Sequence, residues 1–355
     1  MQPSCTFLVP GDWDSRTGGY LYDRRIVGQM RAAGWQVDVV SPGEGFPWPD
    51  AAAHRRAQEV VAALPDGALV VADGLGFGVL PELVAAHAAR LRWVALVHHP
   101  LALESGLSEA QRARLFDSER RALAHARHVI VTSPSTARAL AAYGVAPDRI
   151  SVVEPGTDLA PPAAGGGAGP QALSLLCVAT ITPRKGHVVL LEALAGLRER
   201  RWHLHCAGSL VRDAEEGRRS QAAAERLGLA GRVRWHGEVD AGPLAALYAQ
   251  ADLFVLPSWH EGYGMALAEA LARGLPVVSC AAGAIVDTVP ADAGVLVPPG
   301  DVGALREALR RLMDEPAARR TLAAGARAAA ARLPRWSDAG QRFAAALQSI
   351  GPAQP

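Results

Sequence analysis

Short apolar runs alternate with amphipathic helical stretches twice along the chain, and this alternation restricts it to an α/β fold built on parallel sheets. The first series places strands at 6–9, 36–40, 69–72, 93–97, 128–131 and 151–153, with a helix at 20–33 that makes the opening βαβ unit. Pro161-Pro162-Ala163-Ala164-Gly165-Gly166-Gly167-Ala168-Gly169-Pro170 then breaks the pattern, because this composition sustains neither a helix nor a central strand. A second series follows, with strands at 173–178, 203–206, 233–235, 253–256 and 277–280 and helices at 187–199, 214–227, 244–250, 265–272 and 302–314. The expected organisation is a Rossmann-like domain at 1–160, a Pro/Gly linker at 161–171, a second Rossmann-like domain at 172–334 and a C-terminal helical segment at 335–355 that packs back on the first domain. Open sheets of this kind bind ligands at the carboxyl ends of their strands, so two facing domains are expected to hold a ligand in a cleft between them.

The chain carries 36 Lys plus Arg against 35 Asp plus Glu, a net charge of +1, which gives no electrostatic case for nucleic acid. No apolar run reaches the roughly 18 residues that a membrane span would need, so membrane association is not indicated. The opening Met1-Gln2-Pro3-Ser4-Cys5 has no basic segment leading into an apolar one, so a secretory signal is not expected. Cys5, Cys177, Cys206 and Cys280 each lie in or beside an apolar run at no metal-ligand spacing, and read as reduced core thiols of a cytoplasmic protein.

Of the 36 basic residues only Lys185 is lysine. A composition that uses arginine everywhere else points to a position where a compact ammonium is required and a planar guanidinium does not fit, and phosphate sites are among such positions. Lys185 stands in Thr182-Pro183-Arg184-Lys185-Gly186, between the first strand of the second series and a helix, where cations are placed over a phosphate.

The densest signal runs from His260 to Val278 and begins Glu261-Gly262-Tyr263-Gly264-Met265-Ala266-Leu267-Ala268-Glu269. Gly262 and Gly264 let backbone N–H groups approach a ligand at a helix N-terminus, where partial positive charge favours anionic or hydroxyl-rich groups. Glu261 and Glu269 are eight residues apart, a spacing that returns a helix to nearly the same face. Two carboxylates with amides between them suit a ligand with hydroxyls at both ends and phosphate in the middle. In the first series, Thr17-Gly18-Gly19-Tyr20 offers a glycine pair, and Val97-His98-His99-Pro100 sets two histidines at the carboxyl end of a strand.

Glu261 to Glu269, followed by Ala270-Leu271-Ala272-Arg273-Gly274-Leu275-Pro276-Val277-Val278, resembles the E-x7-E signature of the family 4 retaining glycosyltransferases, and the similarity extends through most of the chain. The resemblance implies the GT-B fold, a nucleotide-sugar donor with UDP-hexose the modal guess, and transfer to a small-molecule, glycan or lipid hydroxyl. It implies that Glu269 bonds the ribose hydroxyls, that Glu261 sits beside the transferred sugar, and that Gly262, Tyr263, Gly264, Met265 and Ala266 contact sugar and diphosphate. Lys185 is implied to neutralise the leaving diphosphate. The family's arginine lies several residues before the Lys-Gly, where this chain has Thr180 and Thr182, so Arg184 either turns inward as its substitute or outward to solvent. Gly18 and Gly19 match the glycine pair that approaches the donor, Val239 a backbone contact to the base, and His98, with His99 as alternative, the histidine near the reacting sugar carbon. The expected catalytic set is therefore His98, Glu261 and Lys185. Acidic residues show no metal-ligand spacing, and neither a metal nor another cofactor is expected.

Three alternatives compete with transfer. A GT-B epimerase or phosphorylase is one, although a pyridoxal phosphate phosphorylase needs a lysine and the only one lies in the phosphate block. A dinucleotide dehydrogenase lacks its G-x-G-x-x-G after the first strand. A non-catalytic nucleotide-sugar-binding partner is opposed by the presence of Glu261, Glu269 and Lys185 together. Acceptor identity and oligomeric state are not legible.

Overall fold

The computed structural model describes residues 2–167 and 172–351, so Ala168 to Gln171 of the expected linker lie outside the described residues. The chain divides into two compact units, Met1–Gly156 with Pro334–Pro355, and Thr157–Leu333. Each is built on a six-stranded parallel sheet with helices packed against it, the α/β class expected from the alternating pattern.

In the first unit, β1 (Ser4–Leu8), β2 (Gln36–Val40), β3 (Leu69–Asp73), β4 (Arg92–Val97), β5 (His128–Val131) and β6 (Ile150–Val152) are ordered β2-β1-β3-β4-β5-β6. All pairs are parallel, and the central strands are buried on both faces, as their unbroken Val/Leu/Ala runs require. The order reverses between β1 and β3, which places the carboxyl ends of these strands at a switch point. The helix Gly18–Ala32 follows β1 and buries Tyr22, Asp23, Ile26, Val27 and Met30. The C-terminal helix Trp336–Gln348 packs on it, with Phe343 stacked 5.7 Å from Phe7 and the bare α-carbon of Gly340 against Gln29. Gly156, where the chain leaves this unit, lies so close to its return that a Cβ would stand 2.2 Å from the Trp336 amide nitrogen.

In the second unit, β7 (Leu173–Val178), β8 (Trp202–Ala207), β9 (Val233–Gly237), β10 (Leu253–Leu256), β11 (Val277–Cys280) and β12 (Gly294–Val297) are ordered β12-β11-β10-β7-β8-β9. The reversal here falls between β7 and β10, so the loops after these two strands share the switch point. The expected linker begins differently from the sequence reading. Ala163, Ala164 and Gly167 donate to the carbonyls of Arg273, Ala249 and Gln250, which binds this stretch to the second unit and moves the unit boundary to Gly156. The helix expected at 187–199 ends at Ala195, where Gly196 lies against the Arg306 side chain with no room for a Cβ.

Candidate functional site

The loop after β7 turns through Pro183–Lys185 and enters the helix His187–Ala195 by way of Gly186, whose φ of +71° places it in the left-handed region. A Cβ on Gly186 would stand 2.3 Å from the Pro257 carbonyl oxygen, so only glycine allows this loop to lie backbone to backbone on the loop after β10. The Trp259 N–H donates to the Arg184 carbonyl at 2.8 Å and fixes the register of the two loops. That register delivers Lys185 Nζ to Glu261 Oε1 at 2.6 Å. Ser258 Oγ donates to the same oxygen at 2.6 Å, and Arg184 Nη1 lies 3.5 Å from Oε2 while donating to the His260 carbonyl at 2.8 Å. Arg184 therefore turns toward Glu261 rather than out to solvent.

Glu261 is only 6% exposed, and burial alone would raise its carboxyl. The Lys185 ammonium and Arg184 guanidinium, with the hydrogen bonds from Lys185 and Ser258, outweigh burial and hold it at about 2. Two cations on one anion leave a net positive charge, set just before the N-terminus of the helix Met265–Ala272. Gly264 caps that helix at φ +88°, and the Tyr263 carbonyl is held by the Thr288 hydroxyl at 2.8 Å. The first amides of the helix, including those of Met265 and Ala266, have no acceptor within the helix itself and point out of its end.

The left-handed turn at Gly264 means that Glu261 is not part of the helix, so the eight-residue spacing does not place the two carboxylates by helical period. Glu269 stands on the helix and has its own partners. Tyr248, from the helix Ala241–Gln250, donates its hydroxyl to Glu269 Oε2 at 2.9 Å, and the Tyr248 hydroxyl oxygen also lies 3.2 Å from the Ala266 carbonyl. Burial, then the Glu269 charge, push the Tyr248 phenol well above its usual range and keep it a donor. Arg273 covers the Tyr248 ring at 4.4 Å and donates to the Glu269 carbonyl. The structure thus joins Arg184, Lys185 and Glu261 in one cluster and Glu269 in a neighbouring one, bridged by residues 262–266. Val239 lies in the loop after the edge strand β9, and no described hydrogen bond joins it to either cluster.

The first unit holds a separate constellation. His98 follows β4, and its Nε2 lies 3.2 Å from Asp23 Oδ1 and 3.3 Å from Asp73 Oδ2. Asp73 closes β3 and caps the next turn through the Leu75 amide, while Asp23 is fully buried on the helix Gly18–Ala32. Burial would lower the His98 imidazole, but the Asp23 charge and the hydrogen bonds to both carboxylates raise it to about 10. Burial pushes Asp23 up to about 6 despite the opposing attraction of His98. Gly19 explains the glycine pair in part: a Cβ there would sit 3.3 Å from His98 Cδ2, so the helix start lies directly against the ring. Gly18 opens the same helix. His99 points elsewhere and pairs with Glu104 at 3.4 Å, so His98 is the histidine of this cluster.

Acidic residues spaced along the chain gave no ligand pattern, yet folding brings one atom each from Asp23, Asp73 and His98 within 4.8 Å of one another. Both carboxylates converge on one imidazole nitrogen, an arrangement that favours the protonated ring. Sequence reading missed Asp23, Asp73, Ser258 and Tyr248. One signal was present: Asp23 occupies the apolar stripe that continues at Ile26, Val27 and Met30, where an unpaired charge is costly.

Residues 22–161 match the family model described as Glycosyltransferase Family 4, and residues 172–315 match that described as Glycosyl transferases group 1. The chain belongs to the family 4 glycosyltransferases. A D-inositol 3-phosphate glycosyltransferase of Salinispora arenicola is 34% identical over 270 residues, which cover 67% of this chain and 60% of that protein. The chain thus matches about three-fifths of that relative's length. Among solved structures, a sucrose-phosphate synthase from Thermosynechococcus elongatus superposes with a TM-score of 0.83 at 25% identity, covering 99% of both chains. Anabaena HepE in complex with UDP-glucose gives 0.76 at 19% identity over 97% of this chain and 100% of its own, a likeness of fold. Among the described residues, no helix is long and apolar enough to cross a membrane.

Proposed function

We propose that this family 4 member is a retaining, metal-independent glycosyltransferase that takes a hexose from a nucleotide diphosphate sugar, a UDP-sugar first among candidates, and passes it to a hydroxyl acceptor. The observation that carries the reading is the convergence of Lys185 and Arg184 on the buried Glu261 at the N-terminus of the helix Met265–Ala272. A glycosyl transition state gathers negative charge on the departing phosphate, and fixed donors aimed at that charge act without reorganising. The ammonium, the guanidinium and the helix amides supply such donors, so the leaving group's charge is met by the protein's own cations. Glu261 keeps Lys185 oriented and lies where it can accept from a sugar hydroxyl, and the Glu269 carboxylate, oriented by Tyr248, suits a vicinal diol such as ribose.

Retention is assigned to a same-face displacement in which the leaving phosphate takes the acceptor proton. The sugar's bond to phosphate breaks as its bond to the acceptor oxygen forms, on one face of the ring. The HepE complex with UDP-glucose favours this class of donor.

The test is a panel of UDP-, GDP- and ADP-sugars in thermal-shift and donor-hydrolysis assays, with and without EDTA. A donor at about 100 times its dissociation constant stabilises by about 2.7 kcal/mol. The reading requires at least one donor that stabilises and is turned over equally in EDTA, with anomeric configuration kept in the product. Failure of every donor, full loss in EDTA or a trapped glycosyl-enzyme overturns it.

A further inference from the structure

Asp73 closes β3 and His98 follows β4, so with Asp23 from the helix Gly18–Ala32 the three side chains meet at the carboxyl ends of parallel strands, where such sheets bind ligands. His98 Nε2 lies 3.2 Å from Asp23 Oδ1 and 3.3 Å from Asp73 Oδ2, and one donor atom from each residue falls within 4.8 Å of the other two. Atoms bound to one ion at about 2.1 Å stand about 3.0 Å apart at right angles and about 3.4 Å apart in a tetrahedron, and both measured separations fall between these. Asp23 is fully buried, and its Oδ2 is buried with no hydrogen-bond partner. Burial, with Asp73 beside it, pushes the Asp23 carboxyl up to about 6 against the attraction of His98. Above that pH the cluster holds two carboxylates and one imidazolium, and one negative charge is left without a counterpart in a largely dry site. A divalent cation beside a neutral imidazole brings the same cluster to zero. Tyr22 is the other titratable group against the ring; burial and Asp23 push its phenol up, and it donates to the Val153 carbonyl, so it neutralises neither carboxylate. The His98 side chain is 20% exposed, which leaves a side from which water completes a coordination shell.

We propose that Asp23, Asp73 and His98 form a binding site in the first unit for one divalent transition ion of the zinc class, held by Asp23 Oδ1, Asp73 Oδ2 and His98 Nε2 in place of the protons that the cluster otherwise carries. Two carboxylate oxygens and one imidazole suit zinc, cobalt, iron or manganese rather than the softer ions that seek thiolate. The exchange balances: below about pH 6 the ion displaces one proton from Asp23 and one from His98, and above it only the imidazolium proton leaves. A bound ion ties the start of the helix Gly18–Ala32 to the ends of β3 and β4. No step of the proposed transfer passes through this ion. Metal binding alone reads the site, so its failure and the failure of the donor reading are separate outcomes.

The experiment strips the full chain with EDTA, removes the chelator, and titrates Zn2+ by calorimetry and Co2+ by visible absorption. The wild type should take up one ion at this cluster, with d–d bands for Co2+ and release of protons to the buffer. Affinity should fall about tenfold for each pH unit between about 8.5 and 6.5, because one proton is displaced there. Asp73→Asn and His98→Gln should each weaken binding at least tenfold, a loss already typical of an outer-shell partner. Asp23→Asn should do the same; if it does not fold, the other two variants carry the test. His205 and His236 of the second unit also bring two imidazole nitrogens 3.0 Å apart, so His236→Gln is the control and should leave the site unchanged. No uptake of either ion, uptake that survives both Asp73→Asn and His98→Gln, or uptake that disappears in His236→Gln overturns the proposal.

Discussion

Replacing Lys185 by Met removes an ammonium 2.6 Å from a carboxylate that is 6% exposed, and keeps the length of the side chain. Displacement of the Glu261 carboxyl from 4.5 to about 2 corresponds to about 3 kcal/mol in favour of the charged form when folded. Ser258 and Arg184 stay behind, so Lys185→Met is expected to cost about 1–3 kcal/mol at pH 7 rather than the full cost of an orphaned charge. The sign with pH follows from the direction of the displacement. In the wild type the folded carboxyl titrates lower than the unfolded one, so its contribution is complete above about 4.5 and is lost as pH falls toward 2. In the variant burial dominates and lifts the carboxyl, so protonation relieves it; the gap between the two proteins narrows below about pH 4.5 and closes only as pH falls toward 2. Native-state hydrogen exchange of the β7 and β10 amides, as a variant-to-wild-type ratio at each pH, reads this locally. Opening should be about 5- to 150-fold more frequent in the variant at pH 7, with the ratio shrinking at pH 4. A ratio near one at pH 7, or one that is constant with pH, would refute the claim that Lys185 neutralises a buried Glu261.

Gly186→Ala forces a β-carbon to 2.3 Å from the Pro257 carbonyl at φ +71°; it should cost at least about 1–3 kcal/mol by chemical unfolding and abolish donor binding by parting Lys185 from Glu261. Tyr248→Phe removes one hydrogen bond to Glu269 and should lower stability by about 1 kcal/mol and weaken UDP and uridine alike in calorimetric titration. Gly156→Ala would drive a β-carbon into the backbone at Trp336, and should loosen the C-terminal helix, seen as faster hydrogen exchange along Trp336–Gln348.

The sheets were legible because buried parallel strands are continuous apolar runs, as in Val129, Ile130 and Val131, all fully buried. β12 was missed because Gly294–Val297 is short and flanked by turns. Polar helices such as Glu109–Leu123 carry few apolar residues to set a period. In the site, Lys185 and Glu261 announced themselves by scarcity and by flanking glycines. Their pairing did not, because it depends on the close approach at Gly186 of loops 76 residues apart. The His98 fork was less visible still, since Asp23 comes from 75 residues away and reads locally as one polar residue in an amphipathic helix.

The most direct test of a diphosphate site on the second unit is calorimetric titration of UDP and of uridine into the wild type, Lys185→Met and Glu269→Gln. The account predicts one UDP site in the wild type, weakened at least tenfold by either substitution, while uridine is weakened by Glu269→Gln and left unchanged by Lys185→Met. Absence of UDP binding, or UDP affinity indifferent to Lys185, would contradict it.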